Sequence, residues 1–199
     1  MTDIASICVY CGSGAGGDPA FLDCAKTFGH ALAEHGIGLV YGGGQIGLMG
    51  TVAHAVLERG GHVTGIMPDF LKSREKLLDH VQETIIVPDM HTRKRLMFEK
   101  ADAFVALPGG IGTLEELVEQ MTWAQLGRHN KPILLLSTNG FWKPLLTLLA
   151  HMREQGFIRP GLELNYLVAE RVDDVIPMLR SAARRVTTVS NTQLIEERF

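Results

Sequence analysis

Cysteine is scarce in this chain. Cys8, Cys11 and Cys24 are its three thiols, too few for a disulfide framework. Cys8 and Cys11 have C-x-x-C spacing, but they fall in an apolar run that reads as a strand. Residues three apart on a strand point to opposite faces, so this pair is not expected to close or to act in redox chemistry. Long hydrophobic runs are missing too, which excludes a spanning helix of about eighteen or more apolar residues. Met1-Thr2-Asp3-Ile4 opens no basic-then-apolar leader, so the expected compartment is the cytoplasm. Lys and Arg number 19 against 22 Asp and Glu, a net charge of −3 with no long basic run. That balance argues against a nucleic-acid polymer as partner and leaves room for a local anion pocket. The eight histidines show neither H-x-x-x-H nor H-E-x-x-H spacing, so no metal site is expected. A G-x-S-x-G elbow and the lysine of a P-loop are also missing.

What the chain has is apolar residues, 46% of the total, and 22 glycines. Runs at 4–11, 38–41, 62–67, 83–87, 103–107, 132–137 and 166–169 read as strands, those at 4–11 and 132–137 as buried ones. Segments of helical period lie between most of them, and a last helix is expected over 172–183. Strands alternating with helices predict an α/β fold, an open parallel sheet with helices on both faces. Residues 1–185 are expected to form this single domain, and 186–199, polar and without a clear period, a tail.

The chain is organised around Leu107-Pro108-Gly109-Gly110-Ile111-Gly112-Thr113-Leu114-Glu115-Glu116. An apolar strand precedes it. Leu114, Leu117, Val118, Met121 and Ala124 follow as one face of a helix. Glycines let the backbone come close to a ligand, and a helix amino end suits a phosphate. Glu115 and Glu116 in the first turn would add carboxylates beside that phosphate. A second reading fits the same residues: Thr113 and Glu116 have the T-x-x-E spacing of a capping box.

Two more glycine turns follow strands and should gather at the same sheet edge. One is Gly12-Ser13-Gly14-Ala15-Gly16-Gly17, which lacks the spacing of a dinucleotide fingerprint. The other is Gly42-Gly43-Gly44-Gln45-Ile46-Gly47-Leu48-Met49-Gly50, where ligand approach and close helix packing both account for glycine. On the helix over 90–98, Arg93, Lys94 and Arg95 are adjacent, and at most two of them can face one ligand. An anion site and a solvated basic face both fit them. Glu75 lies in a polar segment, 69–82, expected near the site.

Taken together, the 42–50 glycine cluster, Arg93-Lys94 and Pro108-Gly109-Gly110-x-Gly112-Thr113-x-x-Glu116 resemble the LOG (Lonely Guy) family. These are cytokinin riboside 5′-monophosphate phosphoribohydrolases, long mislabelled lysine decarboxylases. The resemblance covers roughly residues 4–180. It implies a Rossmann-like homodimer that cleaves a purine nucleoside 5′-monophosphate to free base and ribose 5-phosphate, without a redox cofactor. It implies catalytic roles for Arg93 and Glu116. It implies substrate binding by Glu75, Lys94, Gly110, Gly112, Thr113, Glu115 and Thr122. Gly109, Gly43, Gly44 and Ser13, in the glycine turns, complete the expected binding set. Glu116 near the ribose could stabilise developing positive charge or orient water, while Gly110, Gly112 and Thr113 hold the 5′-phosphate. Arg93 could bind phosphate or ribose oxygens or assist the departing base. The alternatives are a nucleotide-binding module without hydrolase activity and an amino-acid decarboxylase, for which no lysine is singled out. Met97, Phe98 and Trp123 exceed the needs of one core face and are expected to contribute to a dimer interface.

Overall fold

The apolar runs fold as seven parallel strands of one sheet. The computed structural model describes residues 4–72, 78, 81–159 and 161–196, the stretch 186–196 as backbone alone. In chain order the strands are β1 (Ser6–Tyr10), β2 (Gly38–Tyr41), β3 (Val63–Pro68), β4 (Glu83–Val87), β5 (Ala103–Ala106), β6 (Ile133–Leu136) and β7 (Leu167–Ala169). The helices are α1 (Pro19–Glu34), α2 (Gly47–Glu58), α3 (Met90–Glu99), α4 (Ile111–Gln125), α5 (Lys143–Glu154) and α6 (Val172–Glu196).

The central strand β1 explains why these runs carry no polar alternation. Ile7, Cys8, Val9 and Tyr10 are all buried, because helices cover both faces of the sheet. Ile7, Val9 and Cys11 join a core with α1, α2 and α6. Cys8 and Tyr10 join the opposite core, with α3, α4 and α5. Cys8 and Cys11 therefore face opposite sides of the sheet. Burial also pushes both thiols well above the ordinary cysteine range, which removes the thiolate that redox chemistry needs.

Strand order is β4-β3-β2-β1-β5-β6-β7. The chain builds outward from β1 to β4, then returns to the other side of β1 with β5. That reversal leaves a crevice beyond the carboxyl ends of β1 and β5, where open α/β sheets bind ligands. The glycine turns are joined there by backbone hydrogen bonds. Gly12 N–H donates to Pro108 O (3.0 Å), and Met49 N–H donates to Gly12 O (3.3 Å).

Three expectations change. Helix α4 begins at Ile111 rather than near Leu114, so Glu115 and Glu116 lie in its second turn. Helix α6 continues to Glu196 rather than ending near residue 183, so most of the stretch read as a tail is helical backbone. Extending an existing helix adds one hydrogen bond per residue and needs no apolar stripe. Of the three residues expected at an interface, Met97 is buried in the core, and Phe98 and Trp123 are half-buried against each other. Phe98 meets Trp123 edge-on at 5.3 Å and stacks on Phe104 at 6.1 Å.

Candidate active site

The crevice holds a cleft of ≈ 240 Å³ lined by Gly12, Ser13 and Gly14 from the turn after β1 and by Pro108, Gly109 and Gly110 from the turn after β5. Phe21 and Phe141 close one side. A wider hollow of ≈ 520 Å³ lies between α1 and α2, where Leu48 and Met49 N–H at the amino end of α2 are already donated to Gly14 O and Gly12 O. Gly110 is the N-cap of α4, and no side chain caps that helix. The first-turn N–H groups are thus left for an anion. A Cβ on Gly110 or Gly112 would meet nothing within 4 Å, so both look onto open space. Gly109 differs: a Cβ there would collide with the Thr113 side chain, which is buried beneath the turn.

The capping-box reading of Thr113 and Glu116 does not hold. Thr113 is inside α4, three residues after the cap, and Glu116 is turned toward α3. Arg93 Nη1 donates to Glu116 Oε1 at 2.9 Å, with the side chains only 8% and 10% exposed. Arg93 Nε donates to Ile66 O in β3 at 3.1 Å. One guanidinium thus fixes α3, β3 and α4 relative to one another. Lys94 makes a parallel link, its Nζ lying 2.5 Å from Glu115 Oε1 and 3.0 Å from Glu119 Oε1. Burial pulls the Lys94 ammonium downward, and the hydrogen bonds to Glu115 and Glu119 more than reverse it, leaving its pKa above the ordinary lysine value. Arg95 is exposed beside Glu99. The limit of two inward cations among the three is met.

The expected residues thus divide. Ser13, Gly109 and Gly110 line the cleft, and Gly112 and the buried Thr113 follow in the first turn of α4 outside its lining. Arg93, Lys94, Glu115 and Glu116 make the α3–α4 charge cluster. Gly43 and Gly44 are buried at the end of β2, and Gly43 O accepts from Leu78 N–H at 3.3 Å. Thr122 is elsewhere, exposed on the second half of α4 with its hydroxyl donating to Val118 O at 2.8 Å. Glu75 lies outside the described residues.

Two residues escape the sequence reading. Glu119 is one, though its position a helical turn beyond Glu115 on the Lys94 side was a usable signal. Gly42 is the other. A Cβ at Gly42 would collide with Arg93 Nη2 and sit 3.0 Å from Met49 Sδ, so the end of β2 lies flat against the guanidinium. Gly42→Ala should displace Arg93 from Glu116 and cost about 1–3 kcal/mol in denaturant melts. Gly17→Ala, in open space, should change stability by about 0.5 kcal/mol or less. Equal stability of the two variants would show that Gly42 does not seat Arg93.

Comparison with known proteins places this geometry in a family. The model of a family described as "possible lysine decarboxylase" matches residues 49–179. The cytokinin riboside 5′-monophosphate phosphoribohydrolase LOG1 of Arabidopsis thaliana is 50% identical over 185 residues, 93% of this chain and 87% of the relative. The cytokinin riboside 5′-monophosphate phosphoribohydrolase of Rhodococcoides fascians is 42% identical over 177 residues, 88% of this chain and 89% of the relative. A Moco carrier protein from Chlamydomonas reinhardtii shares the fold, with TM-score 0.67 over 92% of this chain and 99% of that one; at 22% identity the likeness is one of fold alone. With the family model covering residues 49–179 and relatives this similar over most of both chains, the chain belongs to the LOG family of cytokinin riboside 5′-monophosphate phosphoribohydrolases, hydrolases that act on N-glycosyl bonds.

Proposed function

We propose that the cleft hydrolyses the N-glycosidic bond of a purine nucleoside 5′-monophosphate, with adenine or an N6-substituted adenine as base. The products are the free base and ribose 5-phosphate. The observation that carries this reading is the buried Arg93–Glu116 pair, placed shortly beyond the uncapped amino end of α4. Glu116 lies five residues past Ile111, a rise of about 8 Å along the helix. That spacing suits a phosphate held on the first-turn N–H groups and a ribose ring reaching back toward the carboxylate.

In such a complex the bond from C1′ to the base nitrogen breaks and its electron pair leaves with the base. Positive charge develops on the ribose, and water supplies the oxygen that joins C1′. Glu116 stabilises that charge and orients the water. Arg93 donates Nε to Ile66 O and Nη1 to Glu116, which holds the carboxylate in place. Phosphate binding supplies the positioning energy, so it should appear in turnover as well as affinity. The decarboxylase reading fits less well. A Schiff-base lysine needs an easily deprotonated amine, whereas Lys94 is tied to two carboxylates and shifted the other way.

The exposed residues of α4 support the homodimer. Ile111 is 82% exposed, Val118 41% and Leu126 73%, and helical geometry puts them on one stripe with Thr122. We propose that this stripe, rather than Met97, Phe98 and Trp123, packs against a second copy. The substrate-binding reading of Thr122 then depends on that assembly. Among the described residues no helix is long and apolar enough to cross a membrane. The cytoplasm is the proposed compartment.

Purified protein given AMP or N6-isopentenyl-AMP should release base and ribose 5-phosphate, with adenosine on the order of 100-fold slower or worse because it lacks the phosphate. Equal rates for nucleotide and nucleoside would remove the role given to the α4 amino end. For the assembly, light scattering should report a dimer that Val118→Glu converts to monomer. A wild-type monomer at micromolar concentration would contradict the interface.

A further inference from the structure

At the opposite end of the sheet from the cleft lies a second cavity of ≈ 300 Å³. It opens at the amino ends of β6 and β7, beneath α6. Its volume falls at the lower edge of small-molecule sites, about 300–1,000 Å³. The floor is apolar, with Ile133, Leu167 and Ala182. The polar wall includes Lys131, Arg185 and the Asn165 amide, and among the described residues no aspartate or glutamate lines it. Asp102 and Glu99 act on Lys131 electrostatically, but neither belongs to the lining. A hollow with an apolar floor, two cations and no carboxylate suits an anion carrying an apolar body.

The wall is also tied to the helices that bear the Arg93–Glu116 pair. Lys131 Nζ donates to Phe98 O near the end of α3 at 2.7 Å and lies 4.0 Å over the Phe98 ring. His129 is buried, its Nδ1 accepting from Lys131 N–H at 3.1 Å and its Nε2 lying 3.2 Å from Gln120 O in α4. Because Nδ1 accepts, Nε2 carries the proton and donates, which describes a neutral ring. Desolvation, which lowers its pKa, favours the same state. A carboxylate entering the cavity would compete with the Phe98 carbonyl for Lys131, at the far end of the helix that carries Arg93.

We propose that this cavity is a second, non-catalytic binding site for a small organic carboxylate with an apolar body, recognised by Lys131 and Arg185. Benzoate is the probe, and benzyl alcohol its neutral counterpart of similar shape. Backbone amide NMR titrations use the full chain with ribose 5-phosphate in excess, so the α4 amino end is occupied throughout. Benzoate should give saturable shifts around His129, Lys131 and Arg185, with benzyl alcohol about tenfold weaker or more. Arg185→Ala should weaken benzoate about fivefold or more, and Ala182→Leu, which keeps both cations but fills the floor, should abolish the shifts. Should Ala182→Leu fail to fold, Arg185→Ala alone decides. Shifts confined to the amino end of α4, equal binding of the alcohol, or benzoate affinity unchanged in Arg185→Ala would each overturn the proposal. None of these readings depends on turnover, so the site stands or falls separately from the hydrolase reading.

Discussion

A guanidinium and a carboxylate buried together impose the tightest physical constraint on this molecule. Taking such ions out of water costs several kcal/mol each, recovered only when geometry is good and the remaining donors are satisfied. Arg93 donates Nε to Ile66 O and Nη1 to Glu116 Oε1, and the glycine backbone at the end of β2 lies against Nη2. Removing one partner would strand the other at a cost of about 3–5 kcal/mol. The same pair that holds α3, α4 and β3 together therefore also delivers a fixed, charged carboxylate to the sheet edge. In the proposed reaction structure and chemistry share these atoms, so a loss of activity at this pair means something only when the melt is measured beside it.

The location follows from the topology. The strand order reverses between β1 and β5, and the turns after both strands are rich in glycine. Backbone can then crowd against backbone around the opening, as where Gly12 bonds Pro108. Helix α4 starts at this opening without a side-chain cap. A serine or aspartate in the Gly110 position would satisfy the first-turn donors internally and remove them from a ligand. Helices α2 and α5 also begin without a side-chain cap; α4 differs in opening at the cleft lined by Gly109 and Gly110.

The sequence reveals most of the fold for a simple reason. Strands buried on both faces must be continuous apolar runs, and 38–41 coincides with β2 as formed, while 83–87 coincides with β4, an edge strand of alternating exposure. Arg93 and Lys94 facing inward with Arg95 outside also follows from helical angles. The start of α4 is hidden because Gly109, Gly110 and Gly112 read as a turn, although Ile111, three residues before Leu114, keeps the helical period. That error made Thr113 look like a cap and Glu116 look like its partner. Gly42 is missed because a run of three glycines does not say which one a distant side chain needs. Phe98 and Trp123 look surplus to one core face because their partners, each other and Phe104, meet only in three dimensions.

The central claim is that the Glu116 charge, and not merely its shape, serves the reaction. The most direct measurement is turnover of AMP by Glu116→Gln beside its thermal melt, with Glu115→Gln as control. Gln keeps an oxygen for Arg93 Nη1 and removes the charge that would face a ribosyl cation. The account predicts a folded Glu116→Gln protein whose kcat falls on the order of 100-fold or more, while the half-exposed Glu115→Gln loses far less. Near wild-type turnover by a folded Glu116→Gln protein would contradict it and leave the Arg93–Glu116 pair a structural bridge alone.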